Sequence, residues 1–363
     1  MVSVGTAKGF YNAVKARRYR FDPDEIVELF KQVSQDRVDC LATAVANYIR
    51  ENMPRAFENR NGLQDYRTNP YVLMTSASVL KLNDPSDFAS FLFNSKLYMA
   101  LETSFGKSIE SAFVELYPCT GERKWSVAPE KQAEFAELIG LSQEEKARRR
   151  MTSVWREIDK TCVVGKKRYL TSIKSGPNTI NDTQVQAMTQ AIIDHHRTWV
   201  ESSRSRYPSV EEVDIVLGLT YGTPRTTNNK ENQILVKLLD YGFEEEDRVT
   251  KPGVLIDSET RSVRVYRCVG KEFWAFIGCP ENPDSASFVF LEVLLALAKA
   301  LSKGMEEIEL EGRINAKIRQ LACAISKLQF PRASLPEWMR EEFCDDELVW
   351  FATAMSAFYD EGV

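Results

Sequence analysis

Apolar positions recur at helical spacing through the first part of the chain. Ile26, Leu29, Phe30 and Val33, then Leu41, Val45 and Ile49, return every three or four residues and predict helices within residues 7–60. A polar stretch from Asn59 to Asn69 follows. NPYVLMTSASVL then predicts a helix, and the run from Asp84 predicts another, with Phe91, Phe93, Leu97, Leu101, Phe105, Ile109 and Phe113 at buried spacing and Glu102 and Glu110 beside them. From Cys119 to Arg150 the chain turns polar and ends in QEEKARRRM, expected as exposed helix or loop.

The period then changes to two. In YLTSIK, Leu170, Ser172 and Lys174 fall on one face of an extended segment, and Tyr169, Thr171 and Ile173 on the other. An earlier extended stretch, VWREIDKTCVV, is separated from it by the turn-like Gly165-Lys166-Lys167, so a hairpin is expected to bring Asp159 beside Ser172 and Lys174. Gly176 and Pro177 end the strand. Asn178, Asn181 and Asp182 supply turn and cap chemistry before a helix from Thr183 to about Ser203, with Val185, Met188, Ile192 and Trp199 on one side. VEEVDIVLGLTYG predicts a buried strand opening onto the loop TPRTTNNKENQ, and GVLIDSETRSVRVYRCVG a hairpin. KEFWAFIG is expected as a further strand, giving a sheet over residues 150–280.

Beyond Pro283 the pattern is helical again. FVFLEVLLALAKAL is interrupted by Glu292 and Lys299 and is shorter than the ~20 residues of a membrane span, so a core or subunit-interface helix is expected and no membrane partner. GRINAKIRQLACAISKL and DELVWFATAMSAFY complete the helices. The fold class expected is α/β, an α+β mixed sheet between helical segments. The divisions are residues 1–95 (helical), 96–283 (sheet-bearing core) and 284–363 (helical, available as a dimer interface).

Composition narrows the picture. With 363 residues, 44% hydrophobic and 27% charged, the chain has the make-up of a globular protein. A net charge of -5 argues against blanket, charge-driven binding to nucleic acid but allows a local basic cleft. Lys15, Arg17, Arg18 and Arg20 form a short basic run, which reads as a solvated face before it reads as a phosphate contact. The 7 cysteines are odd in number and lack any CxxC spacing, and His195 and His196, adjacent on a helix, point apart. Neither a zinc site nor a disulfide framework is indicated. The N-terminal stretch has no apolar core with a cleavage site, so a cytoplasmic location is expected.

Asp159 and Lys174 suit one chemistry in particular. Phosphodiester hydrolysis needs a carboxylate-held divalent cation, which lowers the pKa of a water and offsets charge on the phosphate, and a cation near the nucleophile. Magnesium takes oxygen ligands and keeps several waters, so Asp159, the peptide carbonyl of Ile173 and phosphate oxygens make an adequate set. An Asp and a Lys on neighbouring strands also make an ordinary surface ion pair, worth about 0–1 kcal/mol, so the pair alone does not decide.

A longer pattern does. Ile158-Asp159 followed by Ile173-Lys174-Ser175-Gly176-Pro177-Asn178, with Asn181 and Gln184, resembles the PmeII-like group of type II restriction endonucleases in the PD-(D/E)xK nuclease superfamily. Asn69-Pro70-Tyr71, Phe105-Gly106 with Glu110, Tyr221-Gly222, and Gly270 with Phe273-Trp274 agree in order, so the resemblance covers about residues 69–280. It implies a restriction-endonuclease-like core in residues 96–283, Mg2+ as cofactor, double-stranded DNA as substrate, a homodimer matching a palindromic site, and a cognate DNA methyltransferase in the same restriction-modification system. Lys174 would orient or deprotonate the attacking water and Asp159 would bind the metal.

The sequence departs from the superfamily at Ser172, where an Asp or Glu usually stands; Thr161 also replaces an acidic residue found in similar sequences. Glu110 is the first candidate for the missing carboxylate and Glu157 the second. Base reading falls to polar residues after strand ends: Asn178, Asn181, Gln184, Arg225, Asn228, Asn229 and Lys230. The competing readings are a non-catalytic DNA-binding protein on the same scaffold, which Ser172 favours, and a structure-specific repair nuclease.

Overall fold

The computed structural model describes residues 20–58, 63–66, 69–108, 113–117, 124–176, 180–226, 230–247, 251–307, 310–327 and 332–355. Lys15, Arg17, Arg18, Glu110, Asn178, Asn228 and Asn229 lie outside the described residues. The chain divides into two compact units, one made of Met1–Val45 and Gly106–Lys299, the other of Ala46–Phe105 and Ala300–Val363.

The helices in chain order are α1 (Pro23–Phe30), α2 (Gln35–Glu58), α3 (Pro70–Leu80), α4 (Pro85–Ser108), α5 (Pro129–Ala136), α6 (Gln143–Thr152), α7 (Asp182–Arg206), α8 (Lys230–Leu238), α9 (Lys271–Gly278), α10 (Val289–Glu307), α11 (Leu310–Ser326), α12 (Glu337–Glu342) and α13 (Asp345–Met355). The strands are β1 (Lys160–Val164), β2 (Lys167–Lys174), β3 (Glu212–Leu219), β4 (Phe243–Asp247), β5 (Lys251–Asp257) and β6 (Val263–Val269). Among the described residues no helix is long and apolar enough to cross a membrane.

The second unit is helical in its described residues. Asn69 caps α3, accepting from the N–H of Tyr71 and Val72, with Pro70 at the first helical position. Leu73 and Ala77 are buried on α3 and Leu348 and Ala352 on α13, and Trp350 Nε1 donates to the Leu82 carbonyl at 2.7 Å.

The first unit holds a mixed six-stranded sheet in the order β1-β2-β3-β6-β5-β4. β1 and β2 form an antiparallel hairpin in which Lys160 faces Thr171 and Val164 faces Lys167. Its two-residue loop puts Gly165 at φ 59, the left-handed position that glycine takes without strain. α7 then carries the chain back over the sheet so that β3 lies parallel to β2, with Ser172 opposite Leu217 and Lys174 opposite Leu219. Val185, Met188, Ile192 and Trp199 on α7 are buried, the stripe that the 3.6-residue period predicts, and they join Leu170, Leu217, Val265 and Leu255 in one core. Tyr169, Tyr266 and Trp125 surround Phe276 with ring centroids 5.3–6.4 Å away.

Two expectations change, and one strand was not foreseen. KEFWAFIG is helix α9 instead of a strand: Gly270, at φ 58, turns the chain out of β6, and a Cβ there would meet the Gly222 carbonyl oxygen at 2.2 Å. Phe273 to Ile277 are all buried, and a short run that is apolar on every side shows neither period. FEEED, too acidic to attract notice, is β4, held by antiparallel pairing with β5. Lys230 to Gln233, expected as loop, form the start of α8.

Candidate functional site

The site begins with two hydrogen bonds. Asp159 precedes β1 and sends its N–H to the Thr171 carbonyl at 2.8 Å, while its Oδ2 accepts the Ile173 N–H at 2.7 Å. The carboxylate thus occupies the place where the next main-chain acceptor of β1 would lie. From Lys160 on, β1 runs in register with β2, and Thr161 turns its main-chain groups to the far edge, where it exchanges both bonds with Ser126, at 2.7 and 3.0 Å. Lys174, at the end of β2, brings Nζ to 4.0 Å from Asp159 Oδ2, and the two side chains are 27% and 20% exposed, so both remain open to solvent.

β2 is paired on its other edge with β3, where the Lys174 carbonyl accepts the Thr220 N–H at 3.0 Å. Alternation along the strand turns the Ile173 carbonyl the opposite way, to the edge that Asp159 occupies. A small recess lies at this end of the hairpin. Its polar lining comes from Glu157, Ser172, Lys174 and Gln184 and its apolar lining from Met188, Leu217 and Ile234. Glu157 is ion-paired to Arg156 at 3.2 Å and its side chain is 14% exposed, whereas Ser172 is buried.

The structure therefore brings Asp159, Ile173, Lys174, Ser172 and Glu157 together. Asn181 and Gln184 stand at the N-terminus of α7 in a reciprocal capping box: Asn181 Oδ1 accepts the Gln184 N–H at 2.9 Å and Gln184 Oε1 accepts the Asn181 N–H at 3.0 Å. Their amide oxygens are engaged there. Lys230 pairs with Asp182, and Arg225 is exposed in the Thr223 to Thr226 turn.

Sequence reasoning missed the clamp behind the hairpin. Arg168 on β2 is fully buried, donates to Glu130 Oε1 and Oε2 at 2.9 and 2.7 Å, to Thr161 at 3.0 Å and to Ser203 at 3.2 Å, and lies over the rings of Trp155 and Tyr207 at 5.1 and 5.2 Å. Burial pushes the Glu130 carboxyl up, but hydrogen bonds from Arg168, the main chain and Ser202 outweigh it and leave the pKa below the ordinary value. The sequence signal was weak, because an arginine in a strand is ordinarily read as an outward-facing residue. Beside this clamp, Lys131 Nζ on α5 donates to the carbonyls of Ile158 at 2.6 Å and Arg156 at 3.1 Å.

The donor set suits a hard divalent cation. Asp159 keeps Oδ1 for another partner, and a carbonyl and a second carboxylate stand nearby, all of them oxygen donors. Among the described residues no group of three or more His, Cys, Asp or Glu could hold a metal ion, so such a cation would depend on water and substrate oxygens for the rest of its shell. No protein-family model matches the chain, and no curated protein matches it.

Proposed function

We propose that this chain is a type II restriction endonuclease with a PD-(D/E)xK core, making Mg2+-dependent, sequence-specific double-strand breaks in DNA. The observation that carries the reading is the meeting of Asp159 and Lys174 at one end of the β1-β2 hairpin, with the Asp159 carboxylate fixed by the Ile173 N–H. The order hairpin, helix α7 and parallel strand β3 supports it, because it seats Lys174 on a rigid strand end, with Asp159 in the segment that leads into β1.

Asp159 Oδ1 and the Ile173 carbonyl would hold Mg2+, with Glu157 as the second carboxylate in place of the acid missing at Ser172. When bound, the ion would lower the pKa of a water and offset charge on the scissile phosphate. Lys174, as an ammonium, would donate to that water and orient it while opposing the charge that develops on the phosphate, and the water's proton would pass to a phosphate oxygen or to solvent. Ser172 offers a hydroxyl at the recess wall. Arg225 stands exposed as a groove contact, while the engaged amide oxygens of Asn181 and Gln184 favour their remaining N–H donors for base edges.

Digestion of a plasmid with Mg2+ tests this. Discrete fragments are expected, with Asp159→Ala and Lys174→Ala each slower by at least about 100-fold. Cleavage at the unmutated rate by either variant overturns the reading. Binding without cleavage leaves the non-catalytic DNA-binding alternative, which Ser172 favours.

A further inference from the structure

Asp159 is presented by a stretch of chain that lies outside the regular ladder. Its N–H pairs with β2, yet two residues later Thr161 pairs on the opposite edge with Ser126. In a regular strand residues i and i+2 direct their main-chain groups the same way, so the chain swivels between Asp159 and Thr161. Something must hold the carbonyls just before the swivel, because their direction decides where the Asp159 side chain points. Lys131 Nζ bonds two of them, those of Ile158 and Arg156. Ile158 is itself fully buried, so the clamp is anchored at its core side.

We propose that Lys131 is the positioning residue for Asp159: its ammonium ties the Arg156 and Ile158 carbonyls and so sets the Asp159 carboxylate against the Ile173 N–H and beside Lys174. The placement of this lysine is itself over-determined. Its neighbour Glu130 is locked to the buried Arg168, which fixes the first turn of α5, and the lysine stem runs by Phe135 with Nζ 6.0 Å from the ring centre. A lysine suits the task because its three donors are charge-assisted and can serve two carbonyls at once. The catalytic consequence rests on the nuclease reading; the positional one does not.

The Ile173 amide reports the Asp159 position without metal or DNA, because its hydrogen-bond acceptor is Asp159 Oδ2. The Thr220 amide, bonded to the Lys174 carbonyl on the other edge of β2, is the internal control. In the full chain, Lys131→Met should speed hydrogen exchange at Ile173 by about tenfold or more while leaving Thr220 unchanged, and Lys131→Arg should restore protection. In cleavage assays Lys131→Met should raise the Mg2+ needed for half-maximal rate by about tenfold, with the rate recovered at saturating metal.

Unchanged exchange at Ile173 in Lys131→Met overturns the proposal, as does an equal rise at Thr220, which would report general loosening. The two readings fail separately. Selective exchange at Ile173 in a protein that cuts no DNA sustains the positioning role and sinks the nuclease; a DNA-cutting protein whose Lys131→Met variant keeps both exchange and metal dependence does the reverse.

Discussion

Replacing Arg168 with methionine tests the foundation of the candidate site. The guanidinium is fully buried, and Glu130, its bidentate partner, is 15% exposed. Methionine fills the stem volume but leaves the Glu130 carboxylate with only Ser202 and a main-chain N–H as donors, and takes the Arg168 donor from the Thr161 hydroxyl. Removing one partner of a buried ion pair costs about 3–5 kcal/mol, chiefly because the remaining charge stays desolvated. Partial exposure of Glu130 lets water relieve some of that, whereas loss of the stacking over Trp155 and Tyr207 restores about 1 kcal/mol or more to the cost. The expected total is about 3–4 kcal/mol. With a urea slope of about 3 kcal/mol/M for a unit of this size, the midpoint should fall by about 1 M. In a double-mutant cycle Glu130→Met should recover part of the loss, with a coupling of about 2 kcal/mol. A midpoint shift below about 0.3 M at unchanged slope, or strict additivity in the cycle, refutes the reasoning.

Two further outcomes follow from neighbouring contacts. Glu130 has a folded pKa below its ordinary value of 4.5, so its contribution to stability is complete above that value and is lost as pH falls through the folded pKa. Urea midpoints measured from pH 6 to about pH 3 should therefore fall less steeply in Glu130→Gln than in the parent protein; parallel curves would remove Glu130 from the acid response. At Gly218 on β3 an added Cβ would stand 2.4 Å from the Phe273 ring and 3.3 Å from the Ser172 carbonyl, and Phe273 is fully buried. Gly218→Ala should cost about 1–3 kcal/mol, lowering Tm by several degrees, and an unshifted melting curve would show that the ring has room to retreat.

What could be read in the sequence depended on whether a residue's role was local. The β1-β2 hairpin and the buried stripe of α7 follow from alternation, a glycine turn and a 3.6-residue period, all of which act within a few residues. The approach of Asp159 to Lys174 was legible for the same reason, since one short hairpin decides it. The manner of approach was not. The sequence suggests a regular rung, whereas the carboxylate itself accepts the next N–H of β2 and the chain swivels toward Ser126, an arrangement that depends on residues some thirty positions earlier. Arg168 and Glu292 show the same limit. Arg168 follows two lysines and Glu292 interrupts an apolar run, so each reads as a solvated charge, yet each is buried, Glu292 against Arg37, Ser34 and Tyr117 far away in sequence. Helix α9 escaped because Phe273 to Ile277 are apolar throughout and show neither period, while the left-handed turn at Gly270 rests on its distant neighbour Gly222.

The placement of charge around the recess changes how Ser172 should be weighed. Its side chain is buried on the face that also carries Leu217 and Met188, so a carboxylate at that position would be desolvated against apolar walls. Asp159 and Lys174 instead stand where β2 ends, 20% and 27% exposed, and Glu157, from the turn before Asp159, lines the recess together with Lys174. Glu157 and Lys174 thus bring charge to a recess otherwise lined by Met188, Leu217 and Ile234, with Ser172 buried among them. A serine is tolerated at such a buried position, because a hydroxyl can bond locally without a counter-ion. Under the nuclease reading proposed above, Ser172 in place of the expected acid and Glu157 in the recess lining would be two parts of one arrangement, in which the segment that Lys131 ties carries both carboxylates.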